Sequence, residues 1–287
     1  MPLLYGYATL SDLRVLSGLT DAQTGDDSQL RKYLRDATRI LEQETRKKFY
    51  PRRETRYYDH PVNVQVLKLD DWLLEVETLT TQNGALTIAA ADQVLACGTN
   101  RNVQPYDRIE LKVDGTNTVF LYSGTLQRAN AVTALWGYHE DYANAWLSAN
   151  DTLKTGVDAA VTTLSVNDAD GADLYGETPR FKAGQLIQIG TEFMYVTAVT
   201  AATTNTLTVL RGFFGTVAAA HLASDAIYIY QPMEDVSRAC LDLAEWMYRT
   251  KGLMDQGSVG YPGLGVTIKP VALPTKVQEV IERYRWG

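Results

Sequence analysis

Apolar residues recur at the three- and four-residue spacing of amphipathic helices at both ends of the chain, whereas the middle alternates like strands. Near the N-terminus, TLSDLRVLSG predicts a short helix with Thr9 as its N-cap and Gly18 after its end. A longer second helix should run to about Lys48, because Pro51 forbids continuation. Its predicted apolar face consists of Leu30, Tyr33, Leu34, Ala37, Ile40 and Leu41.

Helical spacing returns after Pro232 and predicts a third helix that ends near Gly252. Its predicted buried face consists of Val236, Ala239, Cys240, Leu243, Ala244 and Met247. A Gly-rich link then leads to a terminal helix that Pro274 can start. That helix carries Val277, Val280, Ile281 and Tyr284, and we expect it to seek a partner because little of its own chain remains to bury it.

Two β units are predicted between the helical ends. Residues 62–138 contain roughly five to seven strands, with Asn83-Gly84 as a tight-turn signal. Residues 150–231 contain five short alternating segments, and residues 148–151 are a plausible hinge before them. The predicted fold class is α+β, a small bundle of N- and C-terminal helices with two inserted all-β modules, each like a sandwich or barrel. The predicted division is 1–54, 55–147, 148–231 and 232–287.

Composition narrows the classes of protein. The 287 residues carry a formal net charge of -7, which argues against general phosphate binding. No apolar run approaches the roughly 18 residues of a membrane span, and no basic segment precedes an apolar run at the N-terminus, so we expect a soluble protein without a secretory signal or a membrane partner. Cys97 and Cys240 are expected to be buried thiols. The isolated His60, His139 and His221 predict no metal site.

Catalytic signatures are missing from the sequence. It contains no Gly-x-Ser-x-Gly elbow, no Walker loop and no Gly-x-Gly-x-x-Gly after a strand, and GYPGLG lacks the P-loop lysine. The acidic pairs 26–27, 70–71 and 140–141 are interpreted as turn and cap residues. Trp72, Trp136 and Trp246 lie in apolar runs typical of a core, whereas Trp286 could anchor in another subunit. We therefore predict neither enzymatic activity nor a cofactor.

One basic stretch, TRKKFYPRRETRYYDH at residues 45–60, stands out in this acidic chain because cations interleaved with aromatic rings are typical of nucleic-acid surfaces. Its basic residues are Arg46, Lys47, Lys48, Arg52, Arg53 and Arg56. The first three are predicted in the last turn of the second helix, where cations offset the helix dipole. The rest suit an edge strand. Three hypotheses remain: subunit contacts, a DNA-facing stripe in a channel, or a solvated face.

Three segments in this order resemble one protein family. LRKYLRDATRILEQETRKKFYPRRETRYYD, followed by ACLDLAEWMYRTKG and then LPTKVQEVIERYRW, resembles the head-tail connector proteins (adaptor or head-completion proteins) of tailed bacteriophages. DDWLLEVETLTTQNG, PYDRIEL and VTALWGY are similar to the β insertion of larger members. LIQIGTEFMYVTAV, with LTVLRGFFGT and AAAH, resembles a small β module of phage structural proteins. The two insertions make this chain larger than the minimal family pattern.

The resemblance implies a structural virion protein at the neck, made in the host cytoplasm. Such proteins form a ring, here expected to be a homo-oligomer of about twelve copies, below the portal protein. The ring extends the DNA channel, through which DNA passes without sequence-specific binding, and it offers an attachment surface for neck and tail proteins. Residues predicted to dock on the portal are Val277, Ile281, Tyr284, Arg285 and Trp286. An alternative is a tail or baseplate protein with carbohydrate-binding β modules.

Overall fold

The computed structural model describes residues 5–20, 23–101, 103–201, 204–250, 259–261, 266–268 and 273–285. Across these residues the fold is mixed α+β, with four α-helices, two larger antiparallel sheets and one two-stranded ribbon. The coarse prediction of an α+β protein is confirmed. Both larger sheets lie in the chain between the second and third helices.

The helices are α1 (Leu10–Leu16), α2 (Asp27–Thr45), α3 (Glu234–Arg249) and α4 (Thr275–Arg285). The predicted cap of α1 is confirmed, because the Thr9 hydroxyl accepts a hydrogen bond from the Asp12 backbone N–H at 3.2 Å. All six residues of the predicted face of α3 are buried. α2 packs against α3 and α4, and α1 packs against α2 and α3, so elements from both ends of the chain meet.

The first sheet contains seven antiparallel strands. They are β1 (Arg52–Tyr58), β2 (Val66–Thr81), β3 (Leu86–Ile88), β4 (Gln93–Cys97), β5 (Asn100–Arg101), β6 (Tyr106–Leu111) and β7 (Asn130–Trp136). The strand order is β1-β7-β2-β6-β4-β5, and β3 pairs with β2 across the predicted turn. The first strand of the sheet, β1, lies at its edge, as the sequence predicts.

The second sheet contains six antiparallel strands. They are β8 (Trp146–Thr152), β9 (Thr163–Ser165), β10 (Leu186–Ile189), β11 (Glu192–Thr200), β12 (Thr206–Leu210) and β13 (Ala226–Tyr230). Their order is β8-β13-β10-β11-β12-β9. An isolated antiparallel bridge between Leu153 and Val166 lies just beyond the ends of the two edge strands, but no continuous ladder closes the sheet. A separate ribbon pairs β14 (Val259–Tyr261) with β15 (Val266–Ile268).

Two predicted domain boundaries fall inside strands. The boundary after residue 54 lies within β1, and the boundary before residue 148 lies within β8. Residues 148–151, predicted as a hinge, are part of β8 and pair with β13. The chain therefore enters the second sheet before the point that the sequence suggests.

Three hydrophobic clusters form the core of the described part of the chain. One lies within each sheet, and the third joins the four helices to both sheets. Aromatic rings dominate the junction: Tyr50 stacks on Tyr7 with ring centres 5.1 Å apart and contacts Tyr230 at 5.2 Å. Because aromatic pairs add specific contacts to their buried area, they fix how the helices meet the sheets. Among the described helices, none combines the length and apolar character needed to cross a bilayer.

Candidate functional site: the basic stretch and the terminal helix

The basic stretch begins where α2 ends, three residues earlier than predicted. α2 stops at Thr45, and Arg46 takes the left-handed conformation with φ 56°, so Arg46, Lys47 and Lys48 are not in its last turn. The Thr45 hydroxyl donates to the Leu41 carbonyl at 2.7 Å and accepts from the Lys47 backbone N–H at 3.3 Å. The prediction that these three cations offset the helix dipole from the last turn is wrong, because α2 ends before all three of them.

Lys47 turns inward instead of facing solvent, and only 3% of the residue is exposed. Its Nζ lies 3.9 Å from the ring centre of Tyr138, 4.9 Å from Trp72 and 5.7 Å from Tyr284. Within the described residues, Nζ has no hydrogen-bond partner. Burial lowers the pKa of Lys47 to about 8, whereas the ring faces favour the charged ammonium. Lys47 is thus unavailable to a phosphate in this conformation.

The three arginines of β1 are paired with carboxylates of the first sheet. Arg52 lies 3.2 Å from Asp71, and Arg53 lies 2.7 Å from Glu77. Arg56 contacts three carboxylates, those of Glu54, Asp70 and Asp71, and its guanidinium lies 4.4 Å from the ring centre of Trp136. We call this group of β1 arginines and β1–β2 carboxylates the arginine face. Side chains alternate along a strand, so Arg53 lies on the opposite side of the sheet from Arg52 and Arg56. Its positive charge is largely neutralised within the chain.

Of the six basic residues of the stretch, only Arg46 and Lys48 are exposed. The aromatics at its centre are structural: Phe49 and Tyr50 are buried, and the Phe49 backbone N–H donates to the Tyr7 hydroxyl at 2.9 Å. A subunit contact or a DNA-facing role for the arginines stays a prediction. The sequence did not show most of the pairing because, apart from Glu54, the partner carboxylates lie on β2.

The terminal helix is buried against its own chain, contrary to the expectation that little was left to cover it. Val277, Ile281 and Tyr284 are at most 5% exposed. Tyr284 packs edge-on against Phe49 and Tyr138, with ring centres 5.5 and 5.6 Å away. Three of the predicted portal-docking residues therefore face the core of the single chain.

Polar contacts hold the end of the same helix. The Tyr284 hydroxyl donates to Asp235 Oδ2 at 2.7 Å. Arg285 forms an ion pair with the Glu44 carboxylate, and its Nε donates to the Glu44 carbonyl at 3.1 Å. Trp286, also predicted to dock on the portal, lies outside the described residues.

A buried ionic cluster in the second sheet was not singled out from the sequence. The Glu192 carboxylate has no exposed surface and accepts bonds from Arg211 at 2.7 and 2.8 Å. It also pairs with His221 Nε2 at 2.9 Å, and the backbone N–H groups of Gly212 and Ala219 donate to it. Burial alone would raise the pKa of Glu192, but these bonds, led by Arg211, lower it to about 2. The motifs GTEFMYV, LRG and AAAH contain its three charged or titratable members.

This Glu192 cluster fixes the loop that joins the second sheet to the helical core. Phe214, in the left-handed conformation with φ 50°, places its ring 4.9 Å from Tyr5 and 5.4 Å from Tyr50. At Gly215, φ is 83° and an added Cβ would lie 2.1 Å from the Arg53 carbonyl oxygen. Only glycine fits that close approach to β1.

The histidines, cysteines and tryptophans considered as candidates for a site have structural surroundings. Among the described residues no group of three or more His, Cys, Asp or Glu side chains is placed to hold a metal ion. His139 Nδ1 accepts from the Asp141 backbone N–H, and Cys240 is buried while Cys97 is half-buried. The tryptophans that the structure describes are buried or half-buried: Trp72, Trp136, Trp146 and Trp246.

Comparisons of the chain with protein-family models, with curated proteins and with solved structures give no significant match.

Proposed function

We propose that this chain is a head-to-tail adaptor of a tailed bacteriophage, a structural protein that forms a ring below the portal. Its core would be a small bundle of α1–α4, with the two sheets as sandwich-like or barrel-like insertions. The ring would extend the DNA channel and offer an attachment surface to neck and tail proteins. Its place would be the portal vertex of the virion.

The observation that carries this proposal is the meeting of the two chain ends. α1 and α2 share one apolar core with α3 and α4, although nearly 190 residues separate α2 from α3. This is the arrangement that the resemblance to connector proteins implies, with the additional β structure inserted between the two helical halves. A shared core of this kind suits a stable structural subunit, and a structural role needs no catalytic group.

Electrostatics are compatible with a channel wall. The formal net charge is -7, and the arginine face is neutralised by its own carboxylates. A surface without a strong positive field binds phosphates weakly, because nucleic-acid affinity depends on neutralising them. Phosphate contacts would therefore hold passing DNA only weakly.

The alternative of a carbohydrate-binding tail protein stays a prediction. No tryptophan is exposed across the described residues, although four tyrosines are: Tyr57, Tyr122, Tyr175 and Tyr228. We argue the adaptor proposal further because the shared core of the four helices favours it.

The direct functional test is to produce the virus without this chain. We expect heads that package DNA but neither retain it nor carry tails, because the ring would close the portal and receive the tail. A complementing copy of the gene, supplied separately, is the control and should restore tailed particles. Normal tailed particles in its absence would contradict the proposal.

A further inference from the structure

α4 occupies a groove that α2 and α3 form with the basic stretch. Val277, Ile281 and Tyr284 fill it, and the Tyr284 ring lies against Phe49. At the far end of the groove, Arg283 Nη1 donates to Asp235 at 2.9 Å. The groove is thus a formed docking site with apolar and ionic contacts.

α4 lies antiparallel to α3, and the link between them is longer than this packing requires. The last turn of α4 contacts Asp235 near the start of α3, and Lys276 in its first turn lines the same small cavity as Asp242. Antiparallel helices are ordinarily joined by about 2–8 residues. Here nine residues precede the ribbon and six follow it, in addition to the ribbon itself.

The extra length suffices to reach another copy of the chain. Residues outside the ribbon can span up to about 50 Å when extended. The ends of the ribbon are paired, Val259 with Ile268, so the ribbon itself neither adds nor costs much reach. A small domain is about 30 Å across. The link can therefore deliver α4 to the groove of a neighbour as well as to its own.

A second and independent observation concerns the floor of the groove. The Lys47 ammonium lies under Tyr284 without a hydrogen-bond partner among the described residues. The buried ammonium becomes hydrated again when α4 leaves. This hydration offsets part of the free-energy cost of exposing the apolar residues of the groove. Departure of α4 therefore costs less free energy at this point of the groove than it would over a wholly apolar floor.

We propose that α4 is exchanged in the assembled ring, so that each groove holds the α4 of a neighbouring copy. The inference rests on the proposed ring, and it specifies how adjacent subunits are joined. Exchange preserves every contact of the groove and turns it into a non-covalent contact between subunits, which is why swapped elements are a low-cost route to oligomers. The occupant is a second copy of this chain and not the portal protein.

The test uses a pair of cysteines across the groove, Asp242→Cys with Lys276→Cys, in a Cys97→Ser background that keeps the buried Cys240. Virus particles carrying this variant are purified and treated with a short bismaleimide, which does not need disulfide geometry. Denaturing gels then separate single chains from covalent multimers. The matched control is Arg238→Cys with Asp242→Cys, because both sites lie on α3 one turn apart.

We expect a ladder of multimers from the groove pair and single chains from the control. Both pairs could instead give single chains on the gel, with peptide mapping showing that the groove pair is joined within one chain. That result would overturn the exchange and leave the adaptor proposal standing. Groove-pair cysteines that react singly, or that join α4 to the portal, would overturn it too. Particles that lack this chain would overturn the adaptor proposal, and with it the ring that exchange requires.

Discussion

The arginine face and the Glu192 cluster both pair arginine with carboxylate, but they differ in burial and in consequence. Arg53 and Glu77 keep about a third of their side chains exposed, whereas Glu192 is fully buried and Arg211 is 5% exposed. Exposed pairs contribute about 0–1 kcal/mol because water and salt screen them. Breaking a buried pair costs about 3–5 kcal/mol, because an uncompensated charge stays behind. The exposed Arg53–Glu77 pair therefore matters less to stability than the buried Glu192.

Glu192→Gln should give the largest effect. The substitution removes the charge that compensates Arg211, and we expect the free energy of unfolding to fall by about 3–5 kcal/mol. Glu77→Gln, on the arginine face, is the control and should cost less than about 1 kcal/mol. Chemical denaturation of both variants measures the difference. Equal losses would show that burial does not make the Glu192–Arg211 pair more important than the Arg53–Glu77 pair.

Lowering the pH should protonate the Glu192 carboxylate and so destabilise the fold. The pKa of Glu192 is about 2 in the folded chain against an ordinary 4.5. Because the folded value is lower, the stabilisation is complete above pH 4.5 and is lost as the pH falls towards 2, a change of about 3 kcal/mol. Unfolding measured between pH 5 and pH 2 should show this slope in the wild type. The slope should be reduced in Glu192→Gln, and an unchanged slope would assign the acid sensitivity to other carboxylates.

Gly215→Ala tests the contact between β1 and the loop that the Glu192 cluster holds. A Cβ there would clash with the Arg53 carbonyl, so the loop or β1 must move, at an expected cost of about 3 kcal/mol. Gly176→Ala is the control: its φ of 86° is similar, but no atom lies within 4 Å of the added Cβ. It should cost about 1 kcal/mol. Similar melting temperatures for the two variants would mean that the loop does not depend on β1.

Lys47→Met should have a smaller effect of the opposite sign. An apolar side chain of similar length removes a buried ammonium without a hydrogen-bond partner, so we expect a gain of about 1 kcal/mol at pH 7. The pKa of Lys47 is lowered to about 8 from 10.5, so wild-type stability should rise as the pH goes from 8 towards 10.5. The variant should lack this rise. A loss of stability at pH 7 would show that the ring contacts outweigh the burial.

Arg53→Ala should change the stability of the monomer least, by under about 1 kcal/mol in thermal unfolding. The predicted role of the arginines in subunit contacts is tested by replacing Arg52, Arg53 and Arg56 together by Ala. We expect the monomer to fold while ring or neck assembly weakens. A normal ring with defective DNA retention would favour the DNA-facing hypothesis instead.

The sequence predicted local features better than long-range ones. The face of α3 was fully predictable because six apolar residues at helical spacing need no knowledge of their partner. The burial of α4 was not, because its groove includes Phe49 and Tyr138, which are far from it in the chain.

Charge pairing shows the same limit. The β2 carboxylates could be assigned to the β1 arginines only from the arrangement of β1 and β2 in the sheet. A periodic sequence pattern does not specify that arrangement. For Glu192 the signal was present in three motifs, but only the fold brings them together. Pairs within one element are readable from the sequence, and pairs between elements need the topology.

We propose that this chain forms one ring at one vertex of a virus particle. The most direct test is the number of copies per purified particle, obtained by quantitative mass spectrometry against isotope-labelled peptides of the chain. We predict about twelve copies, the number expected for one ring of this kind at a single vertex. Copy numbers in the hundreds, typical of a shell protein, or the absence of the chain from the particle would contradict it.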